Sequence, residues 1–133
     1  MLVLTARLTI DPEQVAEFEA LAGVLWESTH RLEPGCRRYE YVRLPERGVY
    51  LAIMAFDDHD AFLAHQASDH HVRIAGGPMR NMIRSFAIEF GLPVEGAFGT
   101  PVGATPTGPY VDPVRRDHYL ERYPPPDFSG WHR

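Results

Sequence analysis

A chain of 133 residues, 44% of them hydrophobic, is sized for one globular domain, and no apolar run in it approaches the ~18–20 residues of a membrane span or the layout of a secretory leader. The net charge of −5 offers no clustered positive charge to a nucleic acid, so neither nucleic acid nor membrane is expected as a partner, and the expected location is cytoplasmic. All thirteen basic residues are arginine, and without a lysine amine the whole class of Schiff-base chemistry, covalent pyridoxal phosphate included, is excluded.

Leu2 to Ile10 alternates, with Leu2, Leu4, Ala6, Leu8 and Ile10 on one side and Val3, Thr5, Arg7 and Thr9 on the other, which predicts a strand. Asp11, Pro12 and Gln14 then read as an N-cap, an N1 proline and a capping-box glutamine. Val15, Phe18, Ala22, Leu25 and Trp26 follow at helical spacing, so a helix should run to about Leu32, where Glu33-Pro34-Gly35 stops it. Cys36 to Leu44 is a second strand, Pro45 to Gly48 a hairpin loop, and Val49 to Phe56 a third strand, apolar on both faces. From Asp57 to about Ile83 short helices are interrupted at Ala67-Ser68 and at Gly76-Gly77-Pro78; Asp58 or Asp60 can start the first, and Ser68 can cap the next. Ser85 to Phe90 is the fourth strand.

The order is β-α-β-β-α-β, an α+β class chain of the ferredoxin-like type, with both helical segments on one face of a four-stranded antiparallel sheet. The other face still carries Val42, Leu44, Val49, Leu51 and Ile53. A monomer would leave it wet, so a homodimer is expected. The domain is assigned to residues 1–95 and a C-terminal arm to 96–133. From residue 91 onward the chain holds eight of the twelve prolines and six of the eleven glycines, yet Tyr110, Tyr119, Leu120, Tyr123, Phe128 and Trp131 supply apolar anchors, so the arm is expected to drape over the domain or its partner. Arg115 to Tyr123 can make one short helix within it.

Three pieces carry a resemblance: Glu33-Pro-Gly-Cys36-x-x-Tyr39, the turn Phe56-Asp-Asp-His-Asp60-Ala-Phe62, and Ala64-His65-x-x-Ser68-x-His70. In order and spacing they resemble the antibiotic biosynthesis monooxygenase family of dimeric α/β-barrel proteins, over residues 1–93. The resemblance implies a homodimer with sheets face to face and a pocket in each protomer between sheet and helices, often used to oxygenate quinols or aromatic polyketides without metal or flavin. The anthrone oxygenases of the family place an Asn on the third strand and a Trp at its end, where this chain has Ala52 and Phe56. The haem-degrading members use an Asn on the first strand, the same Trp and a helix His, against Ala6, Phe56 and about Ala75 here. Neither set is intact. His65 and His70 do match, which resembles the quinol-monooxygenase and small-molecule isomerase branches.

If the Pro45–Gly48 loop closes symmetrically, Leu44 pairs with Val49 and alternation sets the faces. Val42, Glu40 and Arg38 then share the dimer face with Leu51, Ile53 and Ala55, while Arg43, Tyr41, Tyr39 and Arg37 share the helix face with Tyr50, Ala52, Met54 and Phe56. That face should hold an apolar chamber with His70 on the opposite wall. An oxygenase without cofactor needs a base, donors for the developing oxyanion and a dry cavity around an electron-rich substrate anion. Histidine titrates at ~6.5 and suits the first role. The catalytic candidates are therefore His70 as base, His65, and Tyr39 as donor. Tyr41, Tyr50, Met54, Phe56, Phe62 and Arg37 are the substrate-binding candidates, with a small aromatic substrate and dioxygen as partners.

The same parts could run an isomerisation or cyclisation, which also begins with proton abstraction beside a carbonyl. A non-catalytic dimeric binding protein is the third alternative, with the tyrosines filling core and the histidines capping helices. No G-x-G-x-x-G, Walker loop or Cys-x-x-Cys is present, so no nucleotide, flavin or structural zinc is indicated. His70-His71 are adjacent and His59/His65 six apart, so no pair has helical i, i+4 metal-ligand spacing, and neither metal nor cofactor is expected. The single Cys36 reads as a small core residue in a reducing compartment.

Overall fold

The structure, a computed structural model, describes residues 1–132. Four strands, β1 (Leu2–Ile10), β2 (Cys36–Arg43), β3 (Val49–Phe56) and β4 (Ile83–Gly91), form one antiparallel sheet in the order β2-β3-β1-β4. Helices α1 (Val15–Leu32), α2 (His59–Ala67), α3 (Asp69–Ile74) and α4 (Pro78–Met82) connect them, and α5 (Pro113–Arg122) lies in the arm. The β-α-β-β-α-β order expected from sequence is the one observed. No helix is long and apolar enough to cross a membrane.

Alternation decides which face is covered. Leu4, Ala6, Leu8 and Ile10 of β1 and Tyr50, Ala52, Met54 and Phe56 of β3 are buried on the helix side. Val15, Phe18, Ala22 and Leu25, one stripe of α1, are buried in the same core. At ~1.5–3 kcal/mol for each large apolar side chain fully buried, this layer carries most of the favourable free energy of folding. On the opposite face Val42 is 38% exposed and Leu51 and Thr5-paired Ile53 are of intermediate burial, although Val49 is buried within the protomer.

Leu44 pairs with Val49 as expected: its N–H donates to the Val49 carbonyl at 2.9 Å, and Arg43↔Tyr50 and Val42↔Leu51 follow. The turn closes because Gly48 takes φ +86°, and any Cβ there would lie 2.6 Å from the Ile10 carbonyl oxygen. The pairing does not continue unbroken. Tyr39 faces Met54 and Arg38 faces Ala55, but Cys36 faces Phe56, so Arg37 sits in a β-bulge.

The helical layer stops short of β4. Phe86 and Phe90 pair with Leu8 and Leu4 and so lie on the helix side, yet each remains more than half exposed. After Gly91 the chain has no regular element until α5, whose side chains are exposed. Trp131 then returns to the domain: it is buried, and its Nε1–H donates to the Leu44 carbonyl at 2.8 Å. Its ring meets Tyr50 edge-on at 5.2 Å, and the Arg43 guanidinium lies 4.8 Å from its centroid. Tyr119 and Tyr123, expected as further anchors, are 53% and 65% exposed and anchor nothing within this protomer.

Candidate functional site

Backbone chemistry places the first component. A residue before proline is pushed out of the helical region, and Glu33, before Pro34, has φ −110° and ψ 98° while its N–H still donates to Thr29 O at the end of α1. Its side chain is thereby turned off the helix. Gly35 follows, and a Cβ on it would come within 2.7 Å of Ala61 Cβ, so α2 approaches as closely as a glycine allows. The second and third components come from the α2–α3 junction. Asp58 caps α2 by accepting from Ala61 N–H at 2.8 Å. Ser68 Oγ accepts from His71 N–H at the start of α3 and donates to His65 O at 2.7 Å.

These constraints bring Glu33, His65 and His70 together. His65 Nδ1 lies 3.0 Å from both Glu33 carboxylate oxygens, and His70 Nε2 lies 2.5 Å from Oε2 and 3.1 Å from Ser68 Oγ. A carboxylate only accepts, so both imidazoles donate to it, which fixes His65 as the Nδ1–H tautomer and His70 as the Nε2–H tautomer. In the neutral ring this leaves the His70 lone pair on Nδ1. Both histidines are buried and the Glu33 side chain is 11% exposed. Burial lowers the His65 pKa below the ordinary imidazole value, with Glu33 opposing the shift. The His71 ring stands 4.6 Å from that of His65, and its pKa is pushed down to about 4 by burial and then by the neighbouring His65.

A cavity of about 600 Å³ opens beside this cluster, lined by Glu33, His70, Ser68, Cys36, Ala61, Ala64 and other residues of α1's end, α2 and α3. Burial, then Glu33, raises the Cys36 thiol to about 11, so at neutral pH the wall carries a thiol and no thiolate. A second cavity, of about 490 Å³, lies between α1 and β2 and shares no lining residue with the first. Its walls are Phe18, Trp26, Tyr41 and Tyr50 with Glu19 and Arg43. Arg43 grips Glu19 through two hydrogen bonds of 2.6 and 2.7 Å, and the Tyr50 hydroxyl donates to Glu19 at 2.9 Å. Those donors, Arg43 first, hold the Glu19 carboxyl below its usual range.

The chamber expected between sheet and helices is therefore divided. His70 and His65 do converge, but Tyr39, Met54, Phe56 and Phe62 line neither cavity. They pack into the core with His65, Phe56 at 5.2 Å and Tyr39 at 5.0 Å between ring centroids. Tyr39 is no donor to the His70 cavity: its hydroxyl is bonded to that of Tyr41 at 2.7 Å, and burial raises both phenols above their ordinary range. Tyr41 and Tyr50 line the other cavity. Arg37 is out of the site, because the bulge at Cys36/Arg38 turns it outward, where it is exposed and paired with Asp57. Glu33 and Glu19 were missed from sequence. Glu33 reads in the sequence as part of a helix stop and as the start of one resemblance motif, with no site role, though an acid directly before Pro-Gly could have flagged a side chain pinned in extended backbone.

The fold is shared with solved structures. The chain resembles the crystal structure of a protein from Caulobacter crescentus CB15, provisionally named an antibiotic biosynthesis monooxygenase, at 28% identity over 70% of this chain and 89% of that one, with a TM-score of 0.66. It resembles a second antibiotic biosynthesis monooxygenase structure at 27% identity over 71% and 99%, TM-score 0.65. A Bacteroides thetaiotaomicron protein with the same provisional name matches at 25% identity over 75% and 95%, TM-score 0.68. Among curated proteins none matches. The family model for antibiotic biosynthesis monooxygenase covers residues 1–76, a span holding β1 to α3 and all three members of the Glu33–His65–His70 cluster. With sheet order, helix placement and this match in accord, the chain belongs to the antibiotic biosynthesis monooxygenase family.

Proposed function

We propose that this protein is a cofactor-independent monooxygenase of the quinol-monooxygenase type, acting on a quinol or an aromatic polyketide-like small molecule in the cavity beside His70. The observation that supports it most is the pairing of His70 with Glu33 on the wall of a cavity of about 600 Å³, within the volume of ordinary small-molecule sites. Glu33 holds the ring and stabilises the imidazolium that forms when Nδ1 takes a substrate proton, and His65 holds Glu33. The resulting substrate carbanion reduces dioxygen. A peroxide anion forms at that carbon and takes back the proton removed at the start. Loss of the carbon's second hydrogen as a proton then forms the product carbonyl and breaks the O–O bond, and the distal OH leaves with that proton as water. Ala61, Ala64, Pro34 and Leu32 give the cavity its apolar lining.

Purified protein should convert a hydroquinone or anthrone in the presence of chelator and without flavin or NAD(P)H, consuming one dioxygen per product. His70→Ala should lower the rate by about 10²–10⁴-fold, the usual contribution of a general base. Turnover that continues under argon would move the assignment to an isomerase or cyclase. Full activity in both His70→Ala and Glu33→Gln would remove the reaction from this cavity.

A further inference from the structure

We propose that Glu33, His65 and His70 form a binding site for one divalent transition-metal ion. One ligand-capable atom of each lies within 4.8 Å of the others, and the three come from three different segments, so no helical spacing in the sequence announces them. Ligand atoms at ~2.0–2.2 Å from a common ion stand about 3–3.5 Å apart. His65 Nδ1 is already 3.0 Å from both carboxylate oxygens, a small opening of the 2.5 Å contact between His70 Nε2 and Oε2 brings that pair into range, and the two imidazole nitrogens lie within 4.8 Å of each other. Two imidazoles and one carboxylate suit borderline ions such as Zn²⁺ and Co²⁺ better than the hard, all-oxygen preference of Mg²⁺ or Ca²⁺.

The ion would take the place of two protons, the Nδ1–H of His65 and the Nε2–H of His70, now shared with a single carboxylate. Little reorganisation is needed. Pro34 holds Glu33 in extended backbone, and Ser68, as the cap joining α2 to α3, holds both histidines. Three protein ligands leave at least one coordination position for water or a small molecule. Glu33 and His70 are themselves part of the cavity wall, and Asp60 and Asp69 line the same cavity and add negative charge that favours a cation. The site does not depend on the oxygenation chemistry proposed above. An ion held by these residues would engage Glu33, the group that orients the base, so metal and base catalysis compete for one cluster.

The test is metal binding by the full chain without substrate, so its outcome is independent of turnover. After chelator treatment and its removal, titration with Co²⁺ should give visible absorption bands saturating at one ion per chain, and Zn²⁺ should displace them. Glu33→Gln and His65→Gln should each weaken the affinity at least ~10-fold, while His59→Gln, at an exposed position, should leave it unchanged. If His65→Gln does not fold, the wild-type protein still answers: bound Co²⁺ should shift the imidazole proton resonances of His65 and His70 before those of the other histidines. Absence of saturable binding up to millimolar Co²⁺, or binding that survives Glu33→Gln intact, would overturn the site.

Discussion

The imidazole of His71 shows how one residue sets a pH limit on the fold. Its folded pKa of about 4 lies below the ordinary 6.5, so the folded state binds its proton less readily than the unfolded chain does. The stability it permits is fully present above pH 6.5 and is lost progressively as pH falls toward 4. A shift of this size corresponds to at most ~3 kcal/mol, and the partial exposure of the ring reduces it to roughly 1–2 kcal/mol. Carboxylates of ordinary pKa titrate mainly below this window. Denaturant unfolding at pH 7.5 and pH 5.5 should show wild type losing stability between the two, and His71→Gln losing distinctly less. An equal loss in both proteins would place the pH sensitivity elsewhere. His65 is shifted in the same direction, burial again leading, with the Glu33 carboxylate at 3.0 Å opposing it.

At the scale of elements, what sequence could reveal was whatever depends on period and on local stops. Alternation placed β1 to β4, the symmetric hairpin fixed the β2–β3 register from Leu44↔Val49, and Ser68 was recognisable as a cap. Two things followed no such rule. Alternation assumes an unbroken ladder, so the bulge at Cys36/Arg38 was invisible and Arg37 was assigned to the wrong side. Register also says which side chains share a face but nothing of the space between them, so Tyr39, Met54, Phe56 and Phe62 were read as the lining of a chamber that they fill themselves. The Glu33–His65–His70 cluster lay between those cases: both histidines carried a signal, while the acid came from a segment that looked like punctuation. The arm's end was legible by composition alone. Trp131 is the anchor because its ring is buried against Tyr50 and Arg43 and its N–H is satisfied by Leu44. Trp131→Ala should therefore lower stability by roughly 2–4 kcal/mol, within the range for buried aromatics, whereas Tyr119→Ala should change it by less than about 0.5 kcal/mol. Equal melting temperatures for wild type and Trp131→Ala would show that the arm's return contributes nothing.

For the whole molecule the sheet face away from the helices has no covering element, and a second copy of the chain is the occupant we propose for it. Val42, Leu51 and Ile53 form its apolar centre, with Arg7 beside Leu51 in the ladder and the Arg38–Glu40 pair, bonded at 3.0 and 3.2 Å, toward the edge. The opposite face has its helices, and a partner is the cover we propose for this one. A monomer would leave Val42, Leu51 and Ile53 partly exposed to water on this face. A two-fold dimer suits such a face, because one patch meets its own copy and apolar centre meets apolar centre. Leu51 is the position to test. Replacing it by arginine sets a second guanidinium beside Arg7, and symmetry doubles the repulsion, so Leu51→Arg should sediment as a monomer or fail to remain soluble. Leu63→Arg, a charge added at an exposed position of α2, should leave the association unchanged. Wild-type protein sedimenting only as a monomer at micromolar concentration would rule out the dimer and require another cover for this face.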